Sequence, residues 1–196
     1  MKKIALILFI ITSFSNAQIT ANPFEQGIIT FRDNSTKNGE VKILDDKRTI
    51  RFRNKEQNEK NEYDHVKVKE LEITKDGEQI LYKYKIIAGE KPKLMRVINE
   101  NSGKMNLYAI DYYKNWGSIV SLTNFYCHYY INKGNSNIVS KLGSSEIIFG
   151  SKHFKKMVKK SFKDCPLLLE KINNGEFKRT SGIEDIIDYY NENCGS

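Results

Sequence analysis

The chain has 196 residues, 39% hydrophobic and 11% aromatic, and carries a formal charge of +8 from 32 Lys and Arg against 24 Asp and Glu. Eleven tyrosines, ten phenylalanines and only three prolines exclude disordered, collagen-like, coiled-coil and multi-span membrane classes. The length suits one domain, or two small ones, with a buried core.

Residues 1–17 read MKKIALILFIITSFSNA. Lys2 and Lys3 make a basic start, residues 4–11 are unbroken apolar, and Ser15 and Ala17 are small residues spaced for cleavage, the layout of a secretory signal peptide. The apolar core is shorter than the roughly 20 residues that span a bilayer, and no cysteine lies near the cut to anchor a lipoprotein. The mature chain is expected to begin at Gln18 and to be periplasmic or extracellular. Export weakens the usual link between basic charge and nucleic acid; acidic glycans or lipid headgroups become equally good counterparts.

From residue 18 to 150 the pattern is β-rich. Val41 and Ile43 alternate with Glu40 and Lys42, Ile50 and Phe52 with Arg51 and Arg53, Val66 and Val68 with Lys67 and Lys69, and Tyr82, Tyr84 and Ile86 with Lys83 and Lys85. A period of two puts an apolar face on a core and a Lys/Arg face in water, as in an antiparallel sheet with one wet side. Asn38-Gly39, Asp45-Asp46, Asp76-Gly77, Ser102-Gly103 and Lys133-Gly134 punctuate the runs as turns, and Asp76-Gly77 is the sharpest because a two-residue type I′ hairpin needs positive φ at both central positions. Val66 and Val68 have one parity, Leu71 and Ile73 the other, which predicts a bulge near Lys69-Glu70. Residues 55–62, KEQNEKNE, have no apolar member and are expected to form an exposed loop.

After Gly150 the period becomes helical. Phe154, Met157, Val158 and Phe162 form one stripe among Lys152, Lys155, Lys156, Lys159, Lys160 and Lys163. Asp164-Cys165-Pro166 breaks that helix, and Pro166 opens a second one with Leu167, Leu168 and Ile172, ended by Asn174-Gly175. A third is expected from Ser181, capped in a box with Glu184, with Ile183, Ile186, Ile187 and Tyr190 as its apolar stripe. Residues 151–196 are thus a helical segment packed on the sheet, in the same domain.

Of three cysteines, Cys165 starts the second helix and Cys194 ends the third. Antiparallel packing of these two helices brings the ends together, so Cys165–Cys194 is the expected disulfide, worth roughly 3–4 kcal/mol for a loop of about 30 residues. Cys127, in the aromatic run Phe125-Tyr126-Cys127-His128-Tyr129-Tyr130, is read as a buried, unpaired thiol.

The C-terminal runs FKDCPLLLEKINNGEF and IEDIIDYYNENC resemble the end of a group of small exported proteins from Bacteroidetes, mostly flavobacteria. The run GEVKILDDKRTIRFRN is similar in character to their N-terminal parts. The resemblance implies localisation and layout and transfers no active site.

His65, His128 and His153 lack close metal-ligand spacing, and there is no Cys-x-x-Cys, phosphate-binding glycine loop or nucleophile elbow. Cys127 and His128 are adjacent on a strand and face opposite ways, so they make no catalytic pair. Asp185 and Asp188 share a helix face, read as solvated. No catalytic residue, metal or cofactor is assigned. Tyr112, Tyr113 and Trp116, near Tyr126, Tyr129 and Tyr130, are the candidate binding surface, because aromatic rings stack on sugars or anchor a partner; the competing reading is that alternate rings fill the core. Lys155, Lys156, Lys159 and Lys160 offer a second surface, toward anionic membrane, or a plain solvated face.

The expected fold is α+β: a curved antiparallel sheet or roll of seven to ten strands, then a disulfide-pinned helical segment. The expected function is a non-enzymatic binding module of the envelope or exterior, with an envelope protein or glycan as partner. The alternatives are a hydrolase whose site is assembled from scattered residues and a peripheral membrane protein.

Overall fold

A computed structural model describes residues 23–101, 104–115, 123–145, 152–177 and 182–194, with the backbone alone for 113–115 and 123–125. The signal peptide read over 1–17, the Ser102-Gly103 turn, Trp116 and the Ser181 cap lie outside these residues. The described residues form ten strands and then three helices: β1 (Glu25–Phe31), β2 (Thr36–Ile43), β3 (Ile50–Asn54), β4 (Glu59–Tyr63), β5 (Val68–Lys75), β6 (Glu78–Ile87), β7 (Lys93–Asn99), β8 (Met105–Asn115), β9 (Thr123–Lys133), β10 (Ile138–Ser144), α1 (Lys152–Ser161), α2 (Pro166–Asn173) and α3 (Ile183–Asn193).

The strands make one sheet in the order β10-β9-β8-β7-β6-β5-β1-β2-β3-β4, antiparallel throughout except that β10 returns to pair with β6. Strands β6 to β10 form a meander. Successive strands reverse direction, so the first and fifth run the same way and closing the ring requires a parallel seam. That seam sets Ile138 opposite Ile86 and Val139 opposite Ile87, with the Ile86 amide donating to the Asn137 carbonyl at 2.8 Å.

The N-terminal half curls for a different reason. Strands β5 and β4 sit at opposite ends of the row β5-β1-β2-β3-β4, about 19 Å apart in a flat sheet. Only residues 64–67 join them, and their turn is tightened by the Val68 amide on the Asp64 carbonyl at 2.9 Å. The row must therefore bend until its ends meet, and the Phe31 ring at the end of β1 lies 5.1 Å from the Tyr63 ring at the end of β4. Gly27 and Gly39 face each other across β1 and β2 and make the bend feasible. A Cβ on Gly39 would stand 2.7 Å from the Phe52 ring, and one on Gly27 would stand 2.6 Å from a Val41 methyl.

The two curls use opposite faces. Ile29, Val41, Ile50, Phe52, Leu71, Ile73, Tyr84 and Leu94 fill the first. Met95, Tyr108, Ile110, Tyr130 and Val139 fill the closed barrel of β6–β10. On β6 the parity is explicit, with Tyr82 and Tyr84 turned to the first core and Ile87 to the second. The helices cover the outside of the barrel, where Met105, Leu107, Ile131 and Leu142 meet Phe154, Val158, Phe162, Leu168, Ile172, Ile186, Ile187 and Tyr190.

The Cys165–Cys194 disulfide is formed, with Cα atoms 5.6 Å apart, and Cys127 is free and buried. The tail has two further ties. The buried Asn191 side chain accepts from the Met105 amide at 2.8 Å and donates to the Met105 carbonyl at 2.9 Å. Asp164 accepts from Lys133 Nζ at 2.6 Å and from the Tyr190 hydroxyl at 2.7 Å.

Several expectations hold locally. Asp76 and Gly77 have φ of 52° and 85°, as the two-residue turn requires. The β1–β5 register jumps from Thr30 opposite Glu70 to Phe31 opposite Val68, leaving Lys69 as the bulged residue. Others are corrected. Asn38-Gly39 is not a turn but the middle of β2, where glycine serves close approach. Residues 55–62 are not one loop; β4 begins at Glu59 and pairs with β3, its polar residues suiting a sheet edge. Val66 is 65% exposed, in the turn before β5 rather than in a strand. Phe162 falls just after α1, yet remains buried. The third helix is capped at Gly182, whose amide donates to Asp185 Oδ2 at 3.1 Å, so Asp185 rather than Glu184 reaches back. Lys85, assigned to the wet face, is 5% exposed because barrel closure turns that face inward.

Candidate functional site

The middle of the closed barrel is packed, so its accessible chemistry lies at its two ends. One end is aromatic. In the β8–β9 ladder Tyr112 stands opposite Tyr126 and Ile110 opposite His128, and alternate positions share a face. The Tyr112 and Tyr126 rings stack at 5.3 Å and 14°. The His128 ring sits 4.9 Å from Tyr112 and 5.7 Å from Tyr126. All three are half-buried. Lys141 Nζ is 3.3 Å from His128 Nδ1, and Lys47 Nζ hangs 5.9 Å from the Tyr112 ring centre. Burial pushes the Tyr112 hydroxyl up and the Lys47 ammonium down from their ordinary values.

Of the sequence-predicted trio, Tyr112 is therefore in place. Tyr113 occupies the register position opposite Phe125, and Trp116 is outside the described residues. The rings that join Tyr112 are Tyr126, directly opposite it, and His128, two positions further along the same face of β9. Tyr130, of the same parity, fills the barrel, and Tyr129 packs toward the helices.

The other end is charged and was not singled out from sequence. Glu100 accepts from Lys83 Nζ, from Lys85 Nζ at 3.1 Å and from the Tyr108 hydroxyl at 2.7 Å. Lys85 Nζ also lies 4.5 Å from the centre of the Tyr108 ring. Burial pushes the Glu100 carboxyl up, but hydrogen bonds from Lys83, Tyr108 and Lys85 outweigh it and bring it to about 2. Burial and then the Glu100 carboxylate raise the Tyr108 hydroxyl. Lys83, Lys85 and Glu100 border a cavity of about 490 Å³ that also takes in Arg32, Lys69 and Glu70 from the N-terminal curl. A wider groove of about 710 Å³ crosses β2 and β3, but its three cations, Lys37, Arg53 and Lys55, stand among three carboxylates, Glu40, Glu56 and Glu59, with Lys37 paired to Glu59 and Arg53 to Glu40.

The remaining chemical groups are structural in their contacts. Arg96 holds Asp111 through two bonds of 3.0 and 3.1 Å, beside Cys127, which is opposite Asp111 in the ladder and 3% exposed. Asp185 caps α3, and Asp188 accepts from Asn99 at 3.0 Å. The apolar stripe of α1 is spent on the core through Phe154 and Val158, which leaves its lysines as a charged outer face without an apolar companion for a bilayer. Among the described residues no cluster of three His, Cys, Asp or Glu is placed to hold a metal ion, and no helix is long and apolar enough to cross a membrane. The disulfide is compatible with an oxidising compartment.

No protein-family model matches the chain, and no curated protein or solved structure matches it significantly.

Proposed function

We propose that this chain is an exported envelope or secreted protein that acts as a non-enzymatic binding module, engaging a glycan through the aromatic end of its barrel. The observation that carries the reading is the stacked, half-buried Tyr112–Tyr126 pair with His128 against it. Rigid rings held on adjacent strands present a flat apolar face at little entropic cost. Lys47 and Lys141 beside them favour a sugar carrying a carboxylate. The signal-peptide layout of residues 1–17, the disulfide and the resemblance of the C-terminal runs to small exported proteins support the location.

The hydrolase alternative has less behind it. The carboxylate best placed in a cavity, Glu100, is held near 2, far below the range in which a general acid or base works at neutral pH.

Saturation-transfer NMR on the oxidised chain, with neutral and uronic-acid oligosaccharides as probes, tests the reading. Transfer to a uronic-acid oligosaccharide that is lost in Tyr126→Ala, with the melting transition retained, is expected. Absence of transfer to every probe, or transfer unchanged by Tyr126→Ala, overturns it. N-terminal sequencing of protein recovered from the envelope or medium tests the address, with Gln18 as the expected first residue.

A further inference from the structure

The charged cavity at the opposite end of the barrel does not enter the reading above. Its position follows from the ladder. Met105 pairs with Lys133 at this end, whereas Asn115 pairs with Thr123 at the aromatic one. The cavity lies where the N-terminal curl meets the barrel. Arg32, Lys69 and Glu70 come from one side, and Lys83, Lys85, Glu100 and the 134–137 turn from the other.

Four cations and two carboxylates border this space. Lys83 and Lys85 share the single Glu100 carboxylate. Arg32 donates through Nε to the His65 carbonyl at 2.9 Å, and Lys69 donates to Asn34 Oδ1 at 3.1 Å. Both of those acceptors are neutral. Glu70 stands opposite Lys83 in the β5–β6 ladder, yet forms no ion pair among the described residues. The cavity therefore holds a surplus of two positive charges, unlike the balanced groove over β2 and β3. Lys85 keeps only 7% of its side chain exposed, its ammonium held between Glu100 and the Tyr108 ring. Glu100 and Tyr108 hold the two lysine heads in fixed positions, so little ordering is left for a ligand to bear.

We propose that this cavity is a binding site for a doubly charged oxyanion, a phosphate group, received by Arg32 and Lys69 on one wall and by Lys83 and Lys85 on the other. A phosphate monoester carries about −1.5 to −2 charges at neutral pH, which matches the surplus. The volume lies within the roughly 300–1,000 Å³ of small-molecule sites, so a sugar or glycerol attached to the phosphate also fits. Exposed Asn135 and Asn137 at the rim supply neutral groups for such an attachment.

The test is titration of the oxidised chain with inorganic phosphate at constant ionic strength, followed by ³¹P line broadening and by melting temperature. Sodium chloride serves as the control, and Arg32→Gln/Lys69→Gln as the variant. Both substituted side chains are exposed and belong to neither core, so the variant should fold. Saturable binding that chloride does not reproduce, weakened at least tenfold in the variant, is expected. A response matched by chloride, or equal in the two proteins, overturns the proposal. A parallel titration with glycerol 1-phosphate identifies the source: tighter binding than inorganic phosphate supports an esterified ligand, and weaker binding supports the free ion, either sustaining the site.

Discussion

Breaking the Cys165–Cys194 bond perturbs the fold in a way that can be worked through. The bond closes a loop with a sequence separation of 29. In the chain-entropy model such a loop restrains the unfolded ensemble by roughly 3.6 kcal/mol at 25 °C. The folded tail has other restraints: the buried Phe162, Leu168, Ile186, Ile187 and Tyr190, the Asn191 bonds to Met105 and the Asp164 bridge between Lys133 and Tyr190. Reduction should therefore leave the native packing in place and act on the unfolded chain. For a chain of this size each kcal/mol moves the midpoint by about 2–4 °C, so the loss is about 7–14 °C. Calorimetry of the oxidised protein, the protein in reductant and Cys165→Ala/Cys194→Ala provides the comparison. The last two should melt together, both below the oxidised form. The denaturant slope should also rise, because an uncrosslinked chain exposes more surface on unfolding. Equal melting of all three would refute the argument. So would loss of helical signal before the main transition in the reduced form, because the tail would then depend on the bond for its native packing.

Replacing Asn191 by Ala strands the Met105 amide and carbonyl in a buried position, and urea denaturation should show a loss of about 2–4 kcal/mol. Gly39→Ala places a methyl 2.7 Å from the Phe52 ring and 2.8 Å from the Arg53 carbonyl, with an expected cost of about 1–3 kcal/mol by the same measurement. Glu100 has its folded pKa lowered from 4.5 to about 2. Its stabilising contribution is complete above the unfolded value and is lost as pH falls through the folded one. Melting curves from about pH 6 to pH 2 should therefore fall more steeply for the wild type than for Glu100→Gln, and parallel curves would remove Glu100 from the acid response.

Local features were readable because local physics decides them. Asp76-Gly77 announces its turn through the need for positive φ, and the parity conflict between Val68 and Leu71 announces the bulge at Lys69. Pro166 and the paired helix ends announce the disulfide geometry. What escaped depends on which face of a strand ends up inside. Alternation marks two faces on β6 but carries no statement that the sheet curls one way before β6 and the other way after it. Tyr82 and Tyr84 looked like the buried set and Lys83 and Lys85 like the wet one. Closure of β10 onto β6 buries Lys85, and with it the cluster around Glu100. Asn191 was invisible for a related reason: an amide on a helix face reads as polar surface until a strand backbone is brought against it. Gly39 misled through a real ambiguity, since Asn-Gly is as good a turn signal as glycine is a device for close approach.

The location of both candidate sites follows from the same closure. A five-stranded ring is narrow, and Met95, Tyr108, Ile110, Tyr130 and Val139 leave its middle with no room for a ligand. Both proposed sites therefore fall at the ends of the strands, where the ladder stops and side chains no longer need an interior partner. The two ends differ because different segments complete them. At one, the long β8–β9 pair lays successive rings along one face, so stacking dominates. At the other, the N-terminal curl brings Arg32 and Lys69 toward lysines that the barrel has already fixed, so charge dominates. Six steps along β9, from Tyr126 to Asn132, separate the two ends, about 20 Å of packed strand. The two proposed sites are therefore separate in their chemistry, and one ligand that used both would have to run along the outside of the barrel.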